Sequence, residues 1–202
     1  MSERERKDVF KVYDIIGESF FENRSQNLME EKYLELICSL IPKQGNILDL
    51  GCGSGKPIFE YFKNRGYQVV GVDASEKILS IARENFPEDE FFLMDMRQLK
   101  LEQKFNAIIA WHSFFHLEGK DQEKMFKIFQ EQLNSNGVLM FTSGNELAEA
   151  WSENYGQDLY HASLSPEQYQ ELLAAHHFKL IQHSIEDPEC GGATVWIAQL
   201  VH

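Results

Sequence analysis

Apolar positions recur along this chain with two different periods. Tyr33, Leu36, Ile37 and Leu40 follow helical spacing, and Pro42 closes that helix. Upstream, residues 9–24 carry Phe10, Tyr13, Phe20 and Phe21 and are read as an N-terminal helical lid. From Asn46 onward the pattern changes. Short apolar runs at 46–50, 68–72, 90–93, 105–110 and 138–142 are predicted strands. Amphipathic stretches separate them. Residues 57–65 put Ile58, Phe59 and Phe62 on one face, with a proline near the first turn. Ser75 suits the N-cap of a helix carrying Ile78, Ile81 and Ala82, and Asp121 suits the cap of one carrying Met125, Phe126, Phe129 and Leu133. Asn136-Gly137 reads as a turn. Strands alternating with helices indicate a doubly wound α/β sheet, mostly parallel, with helices on both faces.

The end of the chain has a different rhythm. Ser165-Pro166-Glu167-Gln168 has the spacing of a capping box and starts a helix running to about His176. Strands are predicted over 178–185 and 194–200. The link between them holds Pro188, Gly191 and Gly192 and is too short for a crossover helix, so the two should pair antiparallel. Residues 144–164 form the one long irregular stretch, a candidate functional loop. With no repeat or linker, the chain reads as a single domain: a helical lid segment at 1–42, a binding core at 46–143, and a substrate-side loop, helix and strand hairpin at 144–202.

Composition removes several function classes. The chain has 202 residues, 43% hydrophobic and 25% charged, enough for a substantial core. Its formal net charge of −13 repels phosphate backbones and anionic bilayers, so nucleic acid and membrane are not expected partners. Three cysteines without a CxxC provide neither a disulfide framework nor a zinc site, and no metal is expected. The charged opening MSERERKD leads into no secretory apolar stretch, and no run reaches the roughly 18 apolar residues of a membrane span. A cytoplasmic location is expected.

The sharpest local signal is ILDLGCGSGKP, residues 47–57. A strand enters a glycine turn and leaves as a helix, and Gly51 and Gly53 permit positive φ and close approach of a ligand. A phosphate-binding P-loop fails here. Leu50 stands where its first glycine belongs, and Pro57 follows Lys56 in place of Ser or Thr. The dinucleotide fingerprint G-x-G-x-x-G requires glycine where Lys56 stands. What remains is G-x-G-x-G, with Asp49 two positions before it.

This loop resembles the glycine motif of the class I S-adenosylmethionine-dependent methyltransferases of small-molecule type, and the resemblance runs along nearly the whole chain. It implies a seven-stranded Rossmann-like sheet with an antiparallel last strand. It also implies S-adenosylmethionine as cofactor and S-adenosylhomocysteine as product. Asp49, Gly51, Cys52, Gly53 and Gly55 then belong to the cofactor loop. Asp73, with Ala74 beside it, matches the carboxylate that takes the ribose hydroxyls. Asp95 and Met96 match the pair that brackets the adenine, and Trp111 lies in the segment touching the methionine end. Without a ligand, Asp73 is alternatively a carboxylate at a helix N-terminus. The Asp/Asn-Pro-Pro-Tyr/Phe motif of nucleic-acid amino methyltransferases is absent; Ala110-Trp111-His112-Ser113 stands in its place.

Methyl transfer from a sulfonium is an in-line displacement, and a protonated nucleophile needs a base. His112 and His116, after the fourth strand, are the candidates for that role, with surface or packing roles as the alternative. Tyr13, Phe114 and His161 are candidates for contacting substrate, and Trp151, Tyr155 and Tyr160 add aromatic surface nearby. Cys190 reads as part of a turn. The expected function is methyl transfer to a small molecule. Two alternatives stay open: a non-catalytic S-adenosylmethionine-binding module, and a nicotinamide-dependent oxidoreductase, which Lys56 disfavours.

Overall fold

The computed structural model describes residues 6, 8–23 and 27–201. Among the described residues, the helices α1 (Phe10–Asn23) and α2 (Glu31–Leu40) precede the sheet. Arg24, the last residue of the expected lid, lies outside the described residues. The alternating part follows: β1 (Asn46–Leu50), α3 (Ile58–Asn64), β2 (Gln68–Asp73), α4 (Glu76–Asn85), β3 (Glu90–Leu93), β4 (Phe105–Ala110), α5 (Gly119–Gln132) and β5 (Leu133–Ser143). The chain then forms β6 (Ala148–Asn154), β7 (Gln157–Ser163), α6 (Pro166–Ala175), β8 (Phe178–Asp187) and β9 (Ala193–Leu200).

Seven strands make one sheet in the order β3-β2-β1-β4-β5-β9-β8. The pairs among β1 to β5 are parallel, and β9 runs antiparallel to both neighbours. Both faces are covered at the centre of the sheet, so β1, β4 and β9 are largely buried and their alternate residues enter different cores, whereas the edge strands β3 and β8 are largely exposed. Ile47, Ile109, Met140 and Ile197 pack on one side, with Phe59 and Phe62. Leu48, Ile108, Phe141 and Trp196 pack on the other, with Phe126, Phe129 and Tyr169. The Trp196 and Phe141 rings stack at 5.8 Å.

Capping follows the sequence at two helices. Ser75 accepts from the backbone N–H of Ile78, and Ser165 and Gln168 form the complete capping box. Asp121 does not cap α5. It lies inside the first turn, where it pairs with Lys124 at 2.8 Å and still faces the helix dipole.

The largest departure is at 144–164, expected to be irregular. Here β6 and β7 pair in a two-stranded antiparallel hairpin closed at Tyr155-Gly156, both with positive φ. Polar residues mask its strand pattern, because β6 is mostly exposed on both faces. A small third core, Val9, Leu159, Tyr160 and Ala162 with Tyr13 and Trp151 against it, joins this hairpin to α1. The two segments expected to form a lid are therefore in contact. Among the described residues no helix is long and apolar enough to cross a membrane.

Candidate functional site

A cavity with about 760 Å³ of empty space, its open mouth included, lies beyond the carboxyl ends of β1, β2 and β4. Open α/β sheets place ligands there, because the loops leaving neighbouring strands diverge. Gly51 and Gly53 form one wall and Asp73 and Ala74 the next. Asp95 and Met96 follow, then Trp111 and His112, while Phe10, Tyr13 and Phe20 of α1 cover the top.

The glycine loop is fastened to β2. The N–H groups of Gly51 and Cys52 both donate to the Val72 carbonyl, at 2.7 and 3.1 Å. Gly51 has φ +76°, and a Cβ there would meet that of Ser113 at 2.2 Å. The Ser113 hydroxyl fills this space and donates to the Leu50 carbonyl at 2.7 Å. Gly51 therefore answers to the β4 loop as well as to the cavity. Gly55, with φ +78°, faces the Phe86 ring and not the cavity. Cys52 is buried in the core behind the loop, and burial pushes its thiol pKa well up. Asp49 is also buried, inside β1 and off the cavity wall. Thus Asp49, Cys52 and Gly55 stand behind the wall formed by Gly51 and Gly53. The tight turn alternates its residues between cavity and core.

Asp73 organises the turn around it. One carboxylate oxygen accepts from Gly53 N at 3.0 Å and the other from Ser75 N at 2.9 Å. Burial pushes its pKa up, and these N–H groups act in the opposite direction. Asp95 has a partner that sequence reasoning missed. Arg97 Nε donates to both of its oxygens at 3.0 Å, and Arg97 N donates to Oδ1 at 2.9 Å. The signal was the i, i+2 spacing of Asp and Arg across a single turn. Asp95 remains on the cavity wall, with Met96 beside it.

A second chamber adjoins the first and shares Tyr13, Phe20, Trp111, His112 and His116 with it. Phe115 and the hairpin residues Ser152 and His161 extend it. His116 is the fixed point between the two. Its Nδ1 lies 2.9 Å from the Tyr160 carbonyl oxygen, which can only accept, so Nδ1 carries the proton. Nε2 of the neutral ring then accepts from the Tyr13 hydroxyl at 3.0 Å. Burial pushes the His116 pKa down to about 4. His161 stacks on Phe115 at 5.2 Å, and its Nε2 is 3.0 Å from the Ser152 hydroxyl oxygen. Burial lowers its pKa as well. His112 takes φ +50° and anchors its backbone N–H on Thr142 Oγ1.

Phe114 is a correction. Its ring is wholly buried among Phe126, Phe129, Phe141 and Tyr169, on the far side of the turn from both chambers. In the short 3-10 turn Phe114–His116, successive side chains point in different directions, so Phe115 and His116 reach the chamber and Phe114 does not. Tyr160 contributes its carbonyl, while its ring is buried in the α1–hairpin core. Tyr155 is exposed at the hairpin tip.

Known proteins resemble this chain in sequence and in fold. Residues 47–137 match the family described as "Methyltransferase domain". YqeM of Bacillus subtilis (strain 168) is 30% identical over 132 residues, 61% of this chain and 53% of its own. A dTDP-3-amino-3,4,6-trideoxy-alpha-D-glucopyranose N,N-dimethyltransferase of Streptomyces venezuelae is 28% identical over 133 residues, 64% of this chain and 54% of its own. The chain thus spans about half the length of these curated relatives. Among solved structures, the S-adenosylmethionine-bound amino pentose methyltransferase CalS10 of Micromonospora echinaspora superposes with a TM-score of 0.73 at 17% identity, over 94% of this chain and 97% of its own. The fold is the Rossmann-like one of those methyltransferases, and the glycine loop lies inside the matched residues. The chain is thus similar to methyltransferases in sequence over residues 47–137 and in fold over nearly its whole length.

Proposed function

We propose that this protein transfers a methyl group from S-adenosylmethionine, bound in the first cavity, to a small-molecule acceptor in the second chamber. One observation carries the reading: the two spaces meet at Tyr13, Trp111, His112 and His116, so a donor in one and an acceptor in the other share a boundary. The cavity also fits the cofactor chemically. Asp73 presents a half-buried carboxylate at the wall, suited to a vicinal diol, and its N–H partners fix its orientation. Asp95 and Met96 would hold the adenine, and Gly51, Gly53 and Trp111 the methionine portion. Asp49, Cys52 and Gly55 would support the loop from behind.

When bound, the cofactor supplies a methyl group on a positively charged sulfur. The chain's part is to align the acceptor, exclude water and handle a proton. His116 Nε2 is the only lone pair on that ring, and Tyr13 is hydrogen-bonded to it. Together they offer a proton route at the boundary, with His112 and His161 nearby. The names of the N,N-dimethyltransferase and amino pentose relatives support a small-molecule acceptor. The net charge of −13 supports a partner that is neither nucleic acid nor membrane. Calorimetry with S-adenosylhomocysteine and NAD, then product release across a metabolite library, tests the proposal. Tight NAD binding without S-adenosylhomocysteine binding would overturn it.

A further inference from the structure

We propose, resting on the reading of the first cavity as the cofactor site, that Arg97 determines how strictly the base of the cofactor is read. It competes with the adenine amine for the Asp95 carboxylate, and Asp121 and Asp8 take up its guanidinium when the amine binds. Arg97 and Asp95 both line that cavity, and among its described lining residues Arg97 is the only lysine or arginine. Arg97 N and Nε donate to Asp95 Oδ1 at 2.9 and 3.0 Å. Nε and Nη2 donate to Oδ2 at 3.0 and 2.5 Å.

A carboxylate has about four lone-pair positions, and these contacts use them all. An amine arriving at Asp95 therefore finds no acceptor position until part of the guanidinium leaves. Leaving a carboxylate is costly for an arginine unless another acceptor waits. Here two wait. Nη1 stands 3.6 Å from Asp121 Oδ2, and Nη2 stands 4.0 Å from Asp8 Oδ1. Both separations exceed a hydrogen bond, so a turn of the guanidinium toward them forms new bonds in place of those given up. Asp121 sits in the first turn of α5 with its side chain 12% exposed, which holds it in place to receive the guanidinium. Asp8 lies just before α1, so the same turn ties the start of the lid helix to the start of α5.

Two purines that differ only at C6 then meet different walls. An amino group donates, and it gains Asp95 only by displacing Arg97. An oxo group accepts, and it meets the Arg97 N–H groups with no exchange. Specificity is a difference of two affinities, and Arg97 narrows this one from both sides. Without Arg97, Asp95 would accept freely from the amine and would repel the oxo group.

Calorimetry on the full chain tests this with two probes, S-adenosylhomocysteine and S-inosylhomocysteine, whose base carries an oxo group in place of the amine. Arg97→Met, which keeps the apolar stem and removes the fork, should raise the preference for S-adenosylhomocysteine by about tenfold, the effect of one charge-assisted bond. Asp121→Asn, which removes a receiving carboxylate, should weaken S-adenosylhomocysteine binding and leave S-inosylhomocysteine binding unchanged. A merely structural role for Arg97 or Asp121 would weaken both probes alike. A preference that is unchanged or lowered in folded Arg97→Met overturns the inference. Should that variant not fold, Asp121→Asn decides it, and equal effects on the two probes overturn it. The wild-type titration separates the two readings. Failure to bind S-adenosylhomocysteine defeats the methyltransferase proposal, whereas binding with the preference unmoved by the variants defeats only this one.

Discussion

The Tyr13 hydroxyl donates to Nε2 of His116 across 3.0 Å, although 103 residues separate them in sequence. The bond joins the lid helix to the loop after β4. It is set from behind by the Tyr160 carbonyl, which fixes the proton on Nδ1. Three distant segments therefore define one imidazole.

This imidazole predicts a pH dependence. The His116 pKa is about 4 in the folded protein and 6.5 in its absence, so between these values the unfolded chain binds more protons. Its contribution to stability is full above 6.5 and declines as pH falls toward 4. His161, His176 and His183 are shifted the same way, so the comparison with His116→Gln isolates this residue. Urea unfolding across the window should show a flatter pH profile in the variant; an identical slope would mean that His116 does not titrate as placed. If His116 also accepts a proton during transfer, kcat should fall by about a hundredfold or more with little change in S-adenosylhomocysteine affinity.

Asp73→Ala should weaken cofactor binding about tenfold to a hundredfold, the effect of removing a charged acceptor worth roughly 1.5–3 kcal/mol. Asp73 also holds the N–H groups of Gly53 and Ser75, so part of any loss comes from a loosened loop. A 2′-deoxy cofactor analogue separates the contributions. It should bind wild type more weakly than the parent compound and bind the variant about as well. Equal losses in both proteins would show that Asp73 does not reach that hydroxyl.

Phe114→Ala should cost stability and leave specificity alone. Deleting a fully buried phenylalanine costs roughly 3–5 kcal/mol, and this ring touches four other aromatic rings. Denaturant melts report the stability. A variant of normal stability with a raised acceptor KM would return Phe114 to the substrate site.

Asp14 is predicted to hold the lid in place. Its carboxylate accepts from the Ser75 hydroxyl at 2.7 Å and from Lys77 N at 3.2 Å, fastening α1 to the start of α4 directly after Asp73. Gly17 permits this contact, since a Cβ there would sit 3.0 Å from Ile78. Asp14→Ala should speed amide exchange in α1, and cofactor plus an acceptor analogue should slow it again. If α1 and the β6–β7 hairpin are fully protected without ligand and unchanged on binding, both are fixed walls and no closure occurs.

Filter binding at low salt, where electrostatic attraction is strongest, should detect no tRNA or DNA association by a chain of net charge −13. Saturable submicromolar binding would point to a basic surface hidden in the overall charge.

Sequence alone determined what depends on neighbours along the chain. Apolar period and turn residues located the five parallel strands and the capped helices. The Gly51-x-Gly53 turn after one strand, with Asp73 ending the next, pointed to the first cavity, because a crevice opens where the loops leaving neighbouring parallel strands diverge. Tertiary structure alone decided which side chains of a turn face inward. Nothing in Trp111-His112-Ser113-Phe114-Phe115-His116 states that Phe114 enters the core while Phe115 and His116 border a chamber, since a one-residue rotation reverses it. The β6–β7 hairpin was hidden for a related reason. Its exposed strand lacks an apolar face, and the hairpin is packed through Val9, just before the distant helix α1, clustered with Leu159 and Tyr160. Local pattern carries local structure, but the tautomer of His116 and the walls of the acceptor chamber depend on groups brought together only when the chain closes on itself.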